Sequence, residues 1–152
     1  MTIFVDADSC PRPARELVLR AAARTGVRAV FAANRPIPGI GGNAAMELCP
    51  PGEGSADNRI VELARPGDMV ITRDIPLARR LVEASVLVMD DRGQVYTAEN
   101  IRERLSIRDF MVNLAESGLG MARTANYGRR ELKTMADSLD RNLTRLIRES
   151  SG

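Results

Sequence analysis

Short apolar runs alternate with amphipathic segments along most of the chain, and this alternation predicts its secondary structure. Four runs are apolar and short enough to be buried strands: 2–5 (TIFV), 27–33 (VRAVFAA), 68–72 (DMVIT) and 86–89 (VLVM). A weaker alternation of apolar and polar positions within residues 44–50 (AAMELCP) predicts a further short strand. The chain therefore starts with a strand and returns to strands repeatedly.

Between these runs, apolar residues recur at helical spacing. The clearest segment is RPARELVLRAAART, residues 12–25, where Pro11 and Pro13 suit a helix start and Gly26 suits its end. Four more helices are predicted after it. The first runs from Ser55, a candidate N-cap, to about Ala64, and the second from Asp74 and Pro76 to about Ala84. The third runs from Ala98 to about Glu116, with Thr97 as its cap, and the last covers about 130–149.

Strands that alternate with helices are typical of an α/β fold with a mostly parallel sheet. We therefore expect one domain over residues 1–150, with three layers and a sheet of four or five strands flanked by helices. In such sheets, ligands bind beyond the carboxyl ends of the strands. Polar residues at these ends are the first candidates for a functional site.

Four carboxylates are predicted to meet at this edge. Asp6 and Asp8 directly follow the first strand, Asp74 follows the strand at 68–72, and Asp57 lies in the first turn of a helix entered from the same side. Helix capping is an alternative role for Asp8, Asp57 and Asp74, because negative charge near a helix N-terminus stabilises it by about 0.3–1 kcal/mol. Asp6 is harder to explain in this way, since a charge beside a buried strand is costly unless it is paired.

The composition narrows the chemistry of this site. None of the 152 residues is histidine, which excludes Ser-His-Asp and Cys-His catalysis and imidazole zinc sites. Lys133 is the only lysine. Four carboxylates at one edge would repel one another, so a divalent cation is the expected counter-charge, and oxygen-only ligation suits Mg²⁺ or Mn²⁺. Such an ion can bind a phosphate oxygen and activate water, which is the chemistry of phosphodiester hydrolysis.

Three strings, VDADSCP, GDMVITRDIPLA and DRGQVYTAENI, strongly resemble the uncharacterised bacterial YaiI/YqxD family. That family is similar to PIN domains, which are metal-dependent nucleases with an acidic site at the carboxyl edge of a parallel sheet. The PIN pattern of a first-strand Asp, a helical D-x-x-I and a later T-R-D corresponds here to Asp6, to Asp57–Ile60 and to Thr72–Asp74. Residues 34–54 offer no equivalent of the usual helical Glu, and Pro76 replaces a frequent second acid, so Asp8 is the candidate replacement.

The resemblance implies a three-layer PIN-like fold and a nuclease that uses Mg²⁺ or Mn²⁺ and acts on RNA in preference to DNA. Its catalytic and metal-binding residues would be Asp6, Asp8, Asp57 and Asp74. Candidate contacts to nucleic acid follow the second strand or lie in and after a glycine-rich segment: Asn34, Arg35, Arg123, Arg129 and Arg130. For each of them, a solvated turn or loop position is the alternative.

Two other functions stay open. A non-catalytic nucleic-acid-binding or regulatory module could keep the same acidic residues. A haloacid-dehalogenase-type phosphatase also uses D-x-D after a first strand, but it needs a downstream lysine, and Lys133 lies in the last helix. Cys10 has three alternative roles: a soft metal ligand, a reactive thiol or a small packed residue.

The remaining sequence features concern location. The two cysteines are too few for a disulfide framework. No apolar run approaches the roughly 20 residues of a membrane span, and no signal-peptide pattern precedes the first strand. We therefore expect a cytoplasmic protein without a membrane partner, and the net charge of +2 by itself indicates no partner.

Overall fold

The computed structural model describes residues 1–116 and 127–151. In chain order the elements are β1 (Thr2–Asp6), α1 (Arg12–Thr25), β2 (Arg28–Ala33), β3 (Ala44–Leu48), α2 (Ser55–Leu63), β4 (Met69–Ile71), α3 (Ile75–Glu83), β5 (Leu87–Met89), β6 (Val95–Tyr96), α4 (Ile101–Glu116) and α5 (Arg129–Ser151). In the first two thirds of the chain, strands and helices alternate except that β3 directly follows β2 and β6 directly follows β5, and two longer helices follow.

The strands form one six-stranded sheet in the order β3-β2-β1-β4-β5-β6. All neighbouring strands are parallel except β6, which pairs antiparallel with β5. The predicted α/β class with a mostly parallel sheet is therefore confirmed. The sheet has one strand more than the four or five expected, because the two residues Val95 and Tyr96 are too few to produce a periodic pattern.

Helices cover both faces of this sheet. Ile3 and Val5 of β1 pack into one apolar cluster with α1 and α5, whereas Phe4 packs into a second cluster with α2 and α3. This division follows from the strand, since successive side chains point to opposite faces. The two clusters and the sheet between them make the three layers.

The direction of chain progression reverses beside β1. From β1 the chain passes through α1 to β2 and then to β3, and it returns through α2 to β4 on the other side of β1. The helices that follow β1 and β4, α1 and α3, pack on opposite faces of the sheet. In open α/β sheets, the crevice at such a reversal is where ligands bind. In this protein it lies between the carboxyl ends of β1 and β4.

Of the two predicted N-caps Ser55 and Thr97, the structure contradicts the first and confirms the second. Ser55 is not the N-cap of α2: Gly54 occupies that position with φ +78°, and the Ser55 hydroxyl lies 2.6 Å from the carbonyl oxygen of Pro50 instead. Thr97 does act as expected before α4. Its hydroxyl accepts the Asn100 N–H at 3.1 Å, and the Asn100 side chain accepts the Thr97 N–H at 2.8 Å. This reciprocal pair is a capping box.

None of the helices in the described residues is both long enough and apolar enough to cross a membrane.

Candidate active site

A cleft of about 210 Å³ opens at the carboxyl edge of the sheet, where β1 and β4 end. It brings together all four carboxylates that the sequence singles out. The residues that line it are Asp6, Asp8, Ser9, Asn34, Gly54, Ala56, Asp57 and Asp74.

Asp6 is the most buried of these acids, with 4% of its surface exposed. Its Oδ2 accepts hydrogen bonds from the hydroxyls of Thr72 at 2.7 Å and Ser9 at 3.0 Å. Each hydroxyl in turn accepts a backbone N–H, from Asp74 at 3.0 Å and from Arg73 at 3.2 Å respectively. Because a hydroxyl has a single proton, these N–H donors direct both hydroxyl protons towards Asp6.

The two oxygens of Asp6 therefore have different roles. Oδ2 is the acceptor for both hydroxyls, whereas no residue in the described ranges donates a hydrogen bond to Oδ1. Every fully buried side-chain oxygen in those ranges has a partner, so Oδ1 must be reached from the cleft. Burial raises the pKa of the Asp6 carboxyl above its usual value, against the opposing effect of the Thr72 and Ser9 hydrogen bonds.

Asp74 caps α3, because its Oδ1 accepts the backbone N–H of Leu77 at 3.0 Å. The capping role considered for this residue is thus confirmed, and it involves only one of the two carboxylate oxygens. Asp57 lies in the first turn of α2 and faces the same cleft. Burial, followed by the charges of Asp74 and Asp6, raises the pKa of Asp57 to about 6. These three carboxylates therefore repel one another, and protonation of Asp57 relieves part of that repulsion.

Asp8 lies at the exposed side of the cleft. Its Oδ2 accepts the backbone N–H of Asn34 at 3.2 Å, and the side-chain oxygen of Asn34 lies 3.0 Å from the Ser55 hydroxyl. These contacts join the turn after β1, the end of β2 and the start of α2. Asn34 is thus a structural part of the cleft wall.

An ion pair between a buried carboxylate and a partly exposed arginine lies beside the cleft. Asp91, which is 2% exposed, follows β5 and binds Arg73 through Nε at 2.8 Å and Nη2 at 2.5 Å. The Tyr127 hydroxyl donates a 2.6 Å hydrogen bond to the backbone carbonyl of Asp91. Since the Arg73 N–H binds Ser9, this pair indirectly supports Asp6.

The sequence pattern did not indicate the roles of Ser9 and Asp91. A signal for Asp91 was available, since it is a carboxylate just beyond a parallel strand, as Asp6 is. Ser9 carries only the weaker signal of a hydroxyl directly after D-x-D.

Arg80 of α3 does not line the cleft, but it lies close to Asp57 and the start of α2. Its Nη1 donates a 2.9 Å hydrogen bond to the side-chain oxygen of Asn58, the residue after Asp57. The positive charge of Arg80 also acts on Asp57, where it partly opposes the effects that raise the pKa. Arg80 is not recognisable from the sequence, because nothing in its spacing distinguishes it from the neighbouring Arg79.

The other candidates for nucleic-acid contact are spread out. Arg35 is exposed next to Asn34, and Arg129 and Arg130 are exposed at the start of α5, but none of the three lines the cleft. Arg123 lies outside the described residues. Cys10 is buried, and burial is the main cause that raises the pKa of its thiol to about 12, which fits the small packed residue among its three alternatives.

The arrangement of the carboxylates limits how many of them can bind one hard divalent cation directly. In residues 1–116 and 127–151, no group of three or more Asp, Glu, Cys or His side chains is arranged to hold one metal ion together. Mg²⁺ usually binds one or two carboxylates and keeps several waters. The cleft therefore suits an ion with at most two direct carboxylate ligands, while the remaining acids would act through water.

Comparison with known proteins places the chain in a family. The profile described as "Uncharacterized BCR, YaiI/YqxD family" matches residues 4–145. A "UPF0178 protein" of Treponema pallidum is 52% identical over 149 residues, which cover 97% of this chain and 84% of that protein. A "UPF0178 protein" of Myxococcus xanthus is 43% identical over 150 residues, or 97% of each chain. No solved structure matches. The residues that build the cleft all lie within the matched range, and the chain belongs to the YaiI/YqxD family.

Proposed function

We propose that this protein is a divalent-metal-dependent hydrolase of phosphodiester bonds in nucleic acid, with RNA favoured over DNA. The observation that carries the proposal is the meeting of Asp6, Asp8, Asp57 and Asp74 in one cleft at the carboxyl edge of the sheet. The raised pKa of Asp57 supports it, because burial and then the charges of Asp74 and Asp6 cause the shift, and a cation would balance those charges.

Asp6 and Asp74 would be the direct ligands of Mg²⁺ or Mn²⁺. Each uses one carboxylate oxygen for hydrogen bonds with the protein, Asp6 with Thr72 and Ser9, and Asp74 with the backbone of Leu77. The second oxygen of Asp6 is left for a ligand, whereas Asp74 also lies within hydrogen-bond reach of the Asp57 carboxyl, a contact that a bound cation would replace. When bound, the ion would supply Lewis-acid polarisation of a phosphate oxygen and a lower pKa for water.

The remaining residues of the cleft would orient the reactants. Asp57 and Asp8 would hold the attacking water and the waters around the ion, since both face the cleft. The hydroxyls of Ser9 and Thr72 would fix the rotamer of Asp6. The preference for RNA rests on the similarity of the family to PIN domains, and the fold alone would not supply it.

Cleavage of labelled RNA and DNA, with and without Mn²⁺, tests the proposal. We expect metal-dependent cleavage of RNA by the wild type and a rate at least about a hundredfold lower for Asp6→Asn, which corresponds to several kcal/mol of transition-state stabilisation. Asp137→Asn is the matched control, because Asp137 is an exposed carboxylate on α5 whose partner is Lys133. Asp137→Asn should cleave at the wild-type rate.

The alternative is a non-catalytic binding module, and one observation favours it: no three metal-binding side chains in the described ranges form a ready-made site. If the wild type binds RNA, while it and Asp6→Asn cleave equally little with every metal, the binding module is correct. A phosphoenzyme that forms in the wild type but not in Asp6→Asn would instead favour the phosphatase. In the structure its candidate lysine, Lys133, pairs with Asp137 on α5.

A further inference from the structure

The arginines of α2 and α3 differ in how their charge is balanced. Arg59 pairs with Glu47 at 2.7 Å and with Glu62 at 3.0 Å, and Arg79 pairs with Glu83 at 3.1 Å. Arg80 has no carboxylate within ion-pair distance in the described part of the chain. Its charge acts on Asp57 without a direct ion pair, and its side chain is exposed, so it can also reach an external anion.

The contact with Asn58 holds Arg80 without neutralising it. The acceptor is the amide oxygen of Asn58, a neutral group, at 2.9 Å from Nη1. Asn58 follows Asp57 on α2, and α3 starts at the Asp74 cap, so both helices that carry this pair also carry acids of the cleft. A cation kept in place in this way loses less conformational entropy when it binds a ligand.

We propose that Arg80 binds a backbone phosphate of a single-stranded nucleic acid that enters the acidic cleft, and that Asn58 positions its guanidinium group. This inference rests on the proposed action on nucleic acid. A strand that crosses four carboxylates is repelled by them, and an arginine close to Asp57 would add a second positive charge, beside the metal ion, that offsets this repulsion. Arginine suits that position because its planar guanidinium can donate two hydrogen bonds to one phosphate.

The same residue could instead serve only to reduce repulsion among the acids. The two roles make different predictions. Removal of a residue that only balances the acids should leave the salt dependence of RNA binding unchanged, because no phosphate contact is lost, and it should tighten the binding of Mn²⁺. If Arg80 contacts a phosphate, its removal should weaken RNA binding and also reduce the dependence of that binding on salt.

Fluorescence anisotropy with a short labelled single-stranded RNA distinguishes the two roles of Arg80. All variants are made in the Asp6→Asn background, with Mn²⁺ present, so that cleavage does not alter the probe. We expect Arg80→Ala to raise the Kd about tenfold, the effect of one charge-assisted hydrogen bond. The slope of log Kd against log salt should decrease by about 0.7, the value for one phosphate contact on a single strand.

Two further variants serve as comparisons. Arg79→Ala removes a paired arginine from the same helix and should change neither the Kd nor the slope. Asn58→Ala should raise the Kd by a smaller factor and leave the slope unchanged, because the charge of Arg80 remains and only its position is lost. Melting temperatures of all variants check that each is folded.

The results distinguish this inference from the proposed hydrolysis. Equal Kd values for Arg80→Ala and Arg79→Ala overturn the role of Arg80, even if the wild type cleaves RNA. Failure of the Asp6→Asn background to bind RNA at low salt also overturns it. Binding that depends on Arg80, together with no cleavage by the wild type under any metal, leaves the phosphate contact in place and rejects only the hydrolase.

Discussion

The buried hydroxyl of Thr72 donates a 2.7 Å hydrogen bond to Oδ2 of Asp6, and this contact joins the ends of β4 and β1. The two residues are 66 positions apart in the chain, yet β1 and β4 are neighbours in the sheet. The same hydroxyl accepts the backbone N–H of Asp74. One side chain therefore fixes the relative positions of two acids of the cleft.

Thr72→Val should reduce the free energy of unfolding by about 1–3 kcal/mol, because it leaves a buried carboxylate oxygen and a backbone N–H without their partner. Thr72→Ser keeps the hydroxyl and loses only a methyl group, so it should cost about 1 kcal/mol or less. Urea denaturation of both variants measures the difference. Equal losses for Val and Ser would mean that packing of the methyl group, rather than the hydrogen bond, explains the effect.

The sequence predicts which acidic residues lie at the ends of the strands, but it does not predict the hydrogen bonds that these residues make. Asp6 and Asp74 could be placed because apolar runs identify β1 and β4, and parallel strands end at one edge. The hydrogen bonds of Ser9 and Thr72 to Asp6 could not, since they depend on the register of β1 against β4. Sequence spacing alone does not determine that register.

Two errors have local physical causes. Ser55 looks like an N-cap, but Gly54 takes the cap position in a left-handed conformation that glycine adopts at little cost, so the Ser55 hydroxyl is left to bind outside the helix. β6 was missed because its two residues are too few for a periodic pattern; they pair antiparallel with β5 through a tight turn at Gly93, whose φ is +82°. In both places a glycine with positive φ determines the backbone path.

The pair of Arg73 and Asp91 should respond asymmetrically to mutation. Arg73→Met leaves a buried carboxylate without its counter-charge, and we expect a loss of about 1–3 kcal/mol, less than for a fully buried pair because Arg73 is partly exposed. Asp91→Asn removes the buried charge and keeps a hydrogen-bond acceptor for Arg73, so it should cost less. Urea denaturation of the single and double variants measures the coupling. Additive effects would show that the two side chains stabilise the fold independently.

Asp57 should make stability depend on pH in an unusual direction for a carboxylate. Its pKa is raised to about 6, first by burial and then by the charges of Asp74 and Asp6, whereas an unfolded Asp titrates near 3.9. Between about pH 4 and pH 6 the folded state therefore binds more protons than the unfolded state, and the contribution of Asp57 to stability decreases as pH rises. Above about pH 6, this contribution of Asp57 to the stability of the folded state is absent.

Asp57→Asn isolates this effect, because asparagine has a similar shape and no charge. In buffer with a chelator, the variant should unfold at a higher temperature than the wild type near pH 7, and the difference should disappear near pH 4. Asp137→Asn, an exposed change on α5, should show no such gain at either pH. An Asp57→Asn difference that is the same at both pH values would contradict the raised pKa.

Mn²⁺ should stabilise the folded protein if the cleft binds it. A ligand that binds only the folded state adds about 1.4 kcal/mol at a tenfold excess over its Kd, so Tm should rise with Mn²⁺ concentration. The double variant Asp6→Asn/Asp74→Asn should lose this shift. It should still fold, because asparagine can accept from Thr72 at position 6 and is a good N-cap at position 74.

Titration calorimetry with Mn²⁺ gives the direct comparison for this metal prediction. The control is Asp137→Asn/Asp140→Asn, which removes the same number of carboxylates from exposed ion pairs with Lys133 and Arg24. It has the same change in net charge as the cleft variant, so any general attraction of cations to the protein falls equally in both. We expect binding heat in the wild type and the control, and none in the cleft variant. Equal heats in the cleft variant and the control would place the bound Mn²⁺ elsewhere and would remove the metal from the proposed mechanism.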